Sequence, residues 1–388
     1  MGTFSEVWHV VDKKYKKEFA MKRLLKSKII DKKCIKAIIK ERNLLSKLNH
    51  PFLVNMHFSF QDNHYLYMIL DLMKGGDLRY YYKLYNSENK KFTEKECQFM
   101  ISNLILALEY IHKNNIIHCD IKPENIVIDK AGYFYLTDFG ISINLKDEEK
   151  NKKNNHNSNY NNYIVGSLGY MAPEIIFQEK INFCADYFSL GVICYEMMMG
   201  GLPYFGNGLE DIKKLIMANQ VQIKKFAIPK DWSVEAVDFV NKLIQRKQYK
   251  RLGYNNFDEL KNHSWLINVD WKKLYLHELK STFVPDLNRK IFNNIYFNDK
   301  KKEYEDSKNS LERYKNIELN KDFTFKFDEF YYFNKYSMNN TKESNKFINP
   351  HIKYEDRDNN SSDLNNNSKI SRNRNNINMH RYCLTSNI

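Results

Sequence analysis

The chain has 388 residues, of which 43% are hydrophobic, and a formal net charge of +14. This length and this apolar content suit a globular protein with room for a two-lobed domain. No uninterrupted apolar run approaches the ~18 residues that a membrane-spanning helix needs, so no transmembrane segment is expected.

The basic charge has two interpretations. A strongly basic protein can bind nucleic acid or an acidic membrane surface. In this chain, however, the excess of Lys is spread along the whole sequence together with Asn, Ile and Tyr, and no basic stripe lies on a recognisable nucleic-acid module. We therefore expect no nucleic-acid partner, and a nucleic-acid-binding protein remains the less favoured alternative.

The six cysteines, at positions 34, 97, 119, 184, 194 and 383, form no CxxC pair and show no metal-type spacing. The start of the chain does not have the pattern of a secretory signal. Reduced thiols and a cytoplasmic or nuclear location are therefore expected.

Strand signals dominate the first part of the chain. Residues 7–11 and 18–24 alternate with the period of a strand, and a third strand-like run surrounds Met68. Between them, helical apolar spacing over 35–48 predicts a helix that ends before Pro51.

Helical signals dominate the later part. Residues 93–96 (TEKE) form a capping box that opens a helix with Met100, Leu104 and Leu108 on one face. Residues 185–199 are apolar nearly all round, which predicts a helix buried in the middle of a lobe. The pattern predicts an α+β protein with a small β-rich lobe at 1–70 and a larger helical lobe.

The two lobes are joined by a short link at 71–74, and the larger lobe is expected to extend from 75 to 266. Residues 336–388 are rich in Asn, Ser, Lys and Arg and have few apolar runs. Such a segment buries too little surface to offset its ordering entropy, so we expect it to be disordered.

The most specific motif is HCDIKPEN at 118–125. Its Asp120 can accept a proton from a hydroxyl group, and Lys122 can neutralise a phosphoryl group in transfer. Asn125, with Asp138 of the DFG tripeptide that follows, can hold Mg²⁺. Asp and Asn are common in turns, so one such residue would mean little, but four at this spacing indicate phosphoryl-transfer chemistry.

The start of the chain adds a phosphate-binding pattern. Residues 2–7 (GTFSEV) precede Ala20, Met21 and Lys22, and a glycine such as Gly2 lets the backbone approach a phosphate. Taken alone, Lys22 would be interpreted as an ordinary lysine on the surface of a strand, and Glu41 as a charged side chain on the solvent-exposed face of a helix. The order of the other motifs favours an ion pair between them instead.

In this order the motifs resemble a eukaryotic protein kinase over residues 1 to about 266. KPEN at 122–125 is the serine/threonine form of the loop. The segments 50–54 (HPFLV), 75–78 (GGDL) and 262–266 (NHSWL) resemble the AGC group, which contains the cyclic-nucleotide-dependent kinases and the YANK branch. The resemblance implies the bilobal kinase fold, ATP and Mg²⁺ as cofactors, and protein substrates.

The resemblance also implies roles for single residues. Asp120 would be the catalytic base, Lys122 would neutralise the phosphoryl group, and the Ser167 hydroxyl would reach both of them. Asp186 would anchor the catalytic loop, and Glu174 would pair with Arg251. Metal ligands would be Asn125 and Asp138. Nucleotide contacts are expected from Gly2, Val7, Ala20, Lys22, Glu41, Asp71, Met73, Asp77, Asn125 and Asp138.

Three acids match positions that bind substrate arginine in basophilic AGC kinases, namely Asp77, Glu124 and Glu196. They predict a preference for Arg two and three residues before the phosphorylated Ser or Thr. The alternative is that Asp77 and Glu196 are ordinary structural acids.

The resemblance further implies an AGC-type C-terminal tail at 267–335. Phe283 begins FVP, which matches the first anchor of such a tail, and FDEFYY at 327–332 resembles its hydrophobic motif. That motif would dock on the small lobe near Lys26 and Ile30. The alternative is an accidental aromatic cluster in a chain that is 14% aromatic.

Three departures from the family pattern keep a catalytically weak pseudokinase scaffold as the alternative function. Ser5 stands where the loop expects its third glycine, and Cys119 replaces the usual Arg. One strand of the small lobe is expected before Met1, so the first strand is missing from the pattern. The sequence contains no signal for the oligomeric state.

Overall fold

The computed structural model describes residues 5–12, 14–32, 34–146, 166–285, 287, 327 and 330–334, and the backbone of 377–380. The strands in these residues are β1 Ser5–Asp12, β2 Glu18–Leu25, β3 Met56–Gln61, β4 Tyr65–Leu70, β5 Gly76–Asp77, β6 Ile116–Ile117, β7 Ile126–Ile128, β8 Phe134–Leu136, β9 Ile143–Asn144, β10 Tyr332–Phe333 and β11 Ile377–His380.

The helices in the same residues are α1 Lys26–Asp31, α2 Ile35–Leu45, α3 Leu78–Ser87, α4 Glu94–Lys113, α5 Pro173–Ile176, α6 Cys184–Met199, α7 Leu209–Ala218, α8 Val234–Leu243, α9 Asp258–Lys261 and α10 Trp271–Tyr275. Strands thus dominate the small lobe and helices the large one. This is the bilobal α+β kinase fold that the sequence predicts.

The small lobe is an antiparallel sheet in the order β10-β3-β4-β2-β1-β11. Side chains of β2 alternate between its two faces, as the period of a strand requires. Phe19 and Met21 pack with Ile69 in a small cluster on one face. Leu24 on the other face joins Met68 in the main core, against which α2 packs. The alternation read from the sequence therefore fixes which face carries the helix.

The outer edge of β1 pairs with β11, with His9 opposite His380 and Asp12 opposite Ile377. This differs from the predicted disorder across 336–388. β11 lies beside β1, at the edge where the sequence predicts that the first strand is missing. An edge strand has unpaired backbone N–H and C=O groups with which another segment can pair. Because such pairing uses backbone groups, side-chain composition does not predict it. The rest of 336–388 lies outside the described residues.

The large lobe is built around α4 and α6. The predicted capping box is confirmed, because Thr93 Oγ1 accepts from the Glu96 amide at 3.3 Å and Glu96 Oε2 accepts from the Thr93 amide at 2.7 Å. The buried helix predicted at 185–199 is also confirmed as α6, where nearly every side chain is buried. Among the described residues, no helix has the length and apolar content to cross a membrane.

The C-terminal tail docks on the small lobe at Phe327 and Phe330, which are both fully buried. The ammonium of Lys26 lies 5.4 Å from the centre of the Phe327 ring, and Gln61 Nε2 donates to the Phe327 carbonyl at 2.9 Å. Arg42 donates to the Phe330 carbonyl at 3.2 Å. The motif therefore lies beside Lys26 of α1, as the sequence predicts. Its contact with α2 through Arg42, which adjoins Glu41, was not predicted.

We expect Phe330→Ala to weaken this docking, because removing a fully buried phenylalanine costs about 3–5 kcal/mol. The apparent Tm should fall by about 6 °C or more. Differential scanning fluorimetry measures the shift, and Phe333→Ala is the matched control because Phe333 is 40% exposed on the same segment. Equal shifts for the two variants would contradict the docking.

Candidate active site

An ion pair links the sheet of the small lobe to α2. Lys22 Nζ on β2 lies 2.7 Å from Glu41 Oε1, and the Glu41 carboxylate is almost fully buried. Burial lowers the pKa of Lys22, but the charges of Glu41 and Asp138 and the hydrogen bond to Glu41 together raise it more, so the net pKa lies above its usual value. Lys22 Nζ also lies 4.0 Å from Asp138 Oδ1. The lysine therefore stays charged and faces the cleft between the lobes.

The catalytic loop is held by the buried carboxylate of Asp186. Its two oxygens accept the backbone amides of His118 and Cys119, each at 2.9 Å, and Nε2 of His112 lies 2.8 Å away. Cys119 has a positive φ of 65°, which is uncommon for a residue other than glycine. The predicted anchoring role of Asp186 is confirmed, and it holds the turn that precedes Asp120.

Asp120 lies at the centre of a polar cluster. Its Oδ2 is 2.9 Å from Lys122 Nζ and accepts from Asn125 Nδ2 at 3.0 Å. Its Oδ1 accepts from the Ser167 hydroxyl at 3.3 Å. The structure thus brings together four residues that the sequence places up to 47 positions apart. Both carboxylate oxygens are oriented by neighbouring donors.

Asp138 faces this cluster from the DFG tripeptide. Its backbone has a φ of 65°, its Oδ1 accepts from the Gly140 amide at 3.3 Å, and its side chain is 43% exposed. Burial raises the pKa of Asp138, but Lys22 and the Gly140 amide lower it, so the net pKa lies below its usual value. Phe139 is buried against His118, with 5.0 Å between the ring centres. The tripeptide therefore points its carboxylate at the cleft.

These residues suit a divalent cation of the Mg²⁺ type, which prefers oxygen ligands. Asp138 presents a partly exposed, ionised carboxylate. The Asn125 amide nitrogen is bound to Asp120, which leaves the amide oxygen as the acceptor that can face a cation.

The structure places two of the other predicted nucleotide contacts on the sheet of the small lobe and one in the link. Val7 pairs with Lys22 across β1 and β2, and Ala20 is buried opposite Leu70. Met73 lies in the link between the lobes and packs against the core. Gly2 lies outside the described residues.

Asp71, which was predicted to contact the nucleotide, has its carboxylate bound to two residues of the small lobe. Its Oδ2 accepts from the backbone amide of Asn55 at 2.9 Å, and its Oδ1 lies 2.6 Å from His57 Nε2. Burial raises the pKa of Asp71, but the bonds from His57 and Asn55 lower it below its usual value. The side chain of Asp71 thus fixes the link to the small lobe.

The three acids predicted to bind substrate all have partners within the chain. Asp77 Oδ1 accepts the Tyr80 amide at 2.8 Å and caps α3. Glu124 and Glu196 both bind Arg79, at 2.8 Å and 3.2 Å. Sequence reasoning missed Arg79. The signal that could have indicated its role was a cation only two positions after Asp77, one of the three acids predicted to bind substrate.

A second buried ion pair stabilises the segment that carries Ser167. Arg251 Nη1 and Nη2 donate to the Glu174 carboxylate at 2.7 Å and 3.0 Å, and neither side chain is exposed to solvent. The predicted pairing is confirmed. Because the carboxylate is bound in bidentate geometry, the end of this segment is fixed against the large lobe.

The family model for the protein kinase domain matches residues 1–266. This chain belongs to the protein kinase family. It is 35% identical over 284 residues to a probable serine/threonine-protein kinase of Dictyostelium discoideum, and 35% identical over 286 residues to the serine/threonine-protein kinase sgk-1 of Caenorhabditis elegans.

Each of these alignments covers 73% of this chain and 58% of the relative. Ribosomal protein S6 kinase alpha-2 of Mus musculus is 35% identical over 273 residues, which is 70% of this chain and 35% of the relative. This chain spans little more than half of the length of the first two relatives. Their identities confirm the assignment to the serine/threonine kinases of the AGC group.

Replacing Lys22 tests whether its charge stabilises Glu41. We expect Lys22→Met to lower the free energy of unfolding by about 3–5 kcal/mol, because it leaves a buried carboxylate without its cation. The double variant Lys22→Met/Glu41→Leu should recover most of that loss. Thermal and urea unfolding measure both effects.

The control for this prediction is Lys242→Met, whose exposed pair with Asp238 should contribute about 0–1 kcal/mol. A Lys22→Met protein as stable as the control would contradict a stabilising ion pair.

Proposed function

We propose that the chain is an ATP- and Mg²⁺-dependent kinase that phosphorylates serine and threonine hydroxyls of protein substrates. The single observation that carries the proposal is the cluster around Asp120, in which Lys122, Asn125 and Ser167 all contact one carboxylate. A carboxylate oriented in this way suits a base that receives a hydroxyl proton.

The proposed mechanism depends on positioning and charge. Asp120 would orient the substrate hydroxyl and accept its proton as the oxygen attacks the γ-phosphorus of ATP. The bond from the γ-phosphorus to the β–γ bridging oxygen would break, with ADP as the leaving group. Lys122, 2.9 Å from Asp120, neutralises the charge that develops on the phosphoryl group. Lys22, held by Glu41, binds the phosphates of ATP from the small lobe.

Asn125 and Asp138 would hold Mg²⁺, which supplies charge neutralisation at the phosphate oxygens when it is bound. The lowered pKa of Asp138 supports this role, since an ionised carboxylate is the better ligand. The cysteine usage supports a cytoplasmic or nuclear location, which we also propose. A preference for basic residues before the target site would require Glu124 and Glu196 to be open to the substrate, and both are bound by Arg79.

Two substitutions test the catalytic assignment. We expect Asp120→Asn and Asp138→Asn each to reduce phosphoryl transfer to a peptide by at least about 100-fold, because one removes the base and the other a metal ligand. Radiolabelled phosphate incorporation measures the rate, and circular dichroism and the Tm check the fold. Asp231→Asn, an exposed site distant in sequence from the motifs, is the control. Substantial turnover by Asp138→Asn would refute the mechanism.

The pseudokinase alternative is separated by two measurements on the unmodified chain. An active kinase should show a thermal shift with ATP and Mg²⁺ and should also phosphorylate a generic serine peptide. Binding of ATP without any transfer would favour a scaffold. Removal of Mg²⁺ with EDTA should abolish transfer, since the proposed metal site has only oxygen ligands.

A further inference from the structure

A partly buried acidic pocket on the large lobe contains a guanidinium group from the chain itself. Glu124 follows Pro123 in the catalytic loop, and Glu196 comes from α6. Arg79, the second residue of α3, extends between them. Its Nε donates to Glu124 Oε1 at 2.8 Å, and its Nη1 donates to Glu196 Oε1 at 3.2 Å.

The third nitrogen of Arg79 is bound as well. Its Nη2 donates to the Tyr170 hydroxyl, and that hydroxyl donates to Glu196 Oε2. Both oxygens of Glu196 therefore have donors. Of the four carboxylate oxygens of Glu124 and Glu196, only Glu124 Oε2 has no hydrogen-bond partner, and this oxygen is buried.

Packing holds the Arg79 guanidinium in this position. Its central carbon lies 5.4 Å from the Tyr82 ring centre and 5.7 Å from that of Tyr170, which are cation–π distances. The start of α3 is fixed by the Asp77 cap and by Leu78, which is fully buried. Arg79 is thus held by hydrogen bonds, by aromatic rings and by its helix. Displacing it would leave two partly buried carboxylates without their shared cation.

We infer that Arg79 is an internal occupant of the pocket where a substrate arginine would otherwise bind, and that it sets the substrate specificity of the proposed kinase. The inference rests on the proposed function. A substrate guanidinium needs two parallel acceptors to bind in bidentate geometry. The pocket offers one free oxygen, and Arg79 has cancelled one of the two negative charges of Glu124 and Glu196. Selection for Arg before the target serine is therefore weak in this chain.

The test compares serine peptides that carry either arginine or its neutral analogue citrulline two and three residues before the target. For the unmodified chain, we expect kcat/KM for the two peptides to differ by less than about threefold. For Arg79→Ala, the ratio should rise to about tenfold or more in favour of arginine, since a hydrogen bond to a charged group contributes this much or more. Lys130→Ala, which removes one exposed cation elsewhere, should keep the ratio of the unmodified chain.

Two further measurements keep the inference testable. Arg79→Met retains the aliphatic packing of the side chain and replaces Arg79→Ala if that variant is unstable. Peptide affinity, measured by fluorescence anisotropy, reports the same preference without any turnover. If no peptide is phosphorylated, the proposed function fails, while the affinity ratios still decide the role of Arg79.

Three results bear on the inference. A low ratio in the unmodified chain that rises when Arg79 is removed supports it. A ratio above about tenfold in the unmodified chain overturns it, because such a preference requires both carboxylates to be open. A low ratio that does not change in either Arg79 variant also overturns it, because Arg79 would then not be the cause.

Discussion

The arrangement of the candidate site depends on the buried carboxylate of Asp186. Its oxygens bind two consecutive backbone amides of the catalytic loop and the ring of His112, so its charge is compensated by donors rather than by water. Those bonds hold Cys119 in a left-handed conformation, which aims Asp120 at Ser167 and Lys122. Without this anchor, the polar residues of the loop would have no fixed geometry.

The small lobe contributes to the same site through α2. Glu41 on its inner side positions Lys22, and the adjacent Arg42 binds the docked tail. The tail also adds β10 to the sheet edge at β3. Neighbouring residues of one helix therefore contact Lys22 and the docked tail.

In the large lobe, two ion pairs between glutamate and arginine lie in different environments. Glu174 and Glu196 are both buried carboxylates bound by arginine. The side chains of Glu174 and Arg251 are not exposed to solvent, and their ion pair stabilises the large lobe. The Arg79 side chain is 25% exposed where it pairs with Glu196, so this pair remains open to solvent. Solvent access, and not residue identity, distinguishes the two pairs, and it is a condition for the role in substrate recognition that we propose for Arg79.

The sequence by itself determined what depends on local order. The capping box at Thr93, the apolar helix α6 and the spacing of Asp120, Asn125 and Asp138 could all be predicted, because periodicity and motif spacing are properties of short segments. The pair of Glu174 with Arg251 was predicted only through the family resemblance. For the other distant groups, only the tertiary structure decided which of them meet. Arg79 reaches acids 45 and 117 residues away, and β11 pairs with β1 through backbone groups that no side-chain pattern reports. Such contacts form when separate elements pack together, so no single segment of the sequence encodes them.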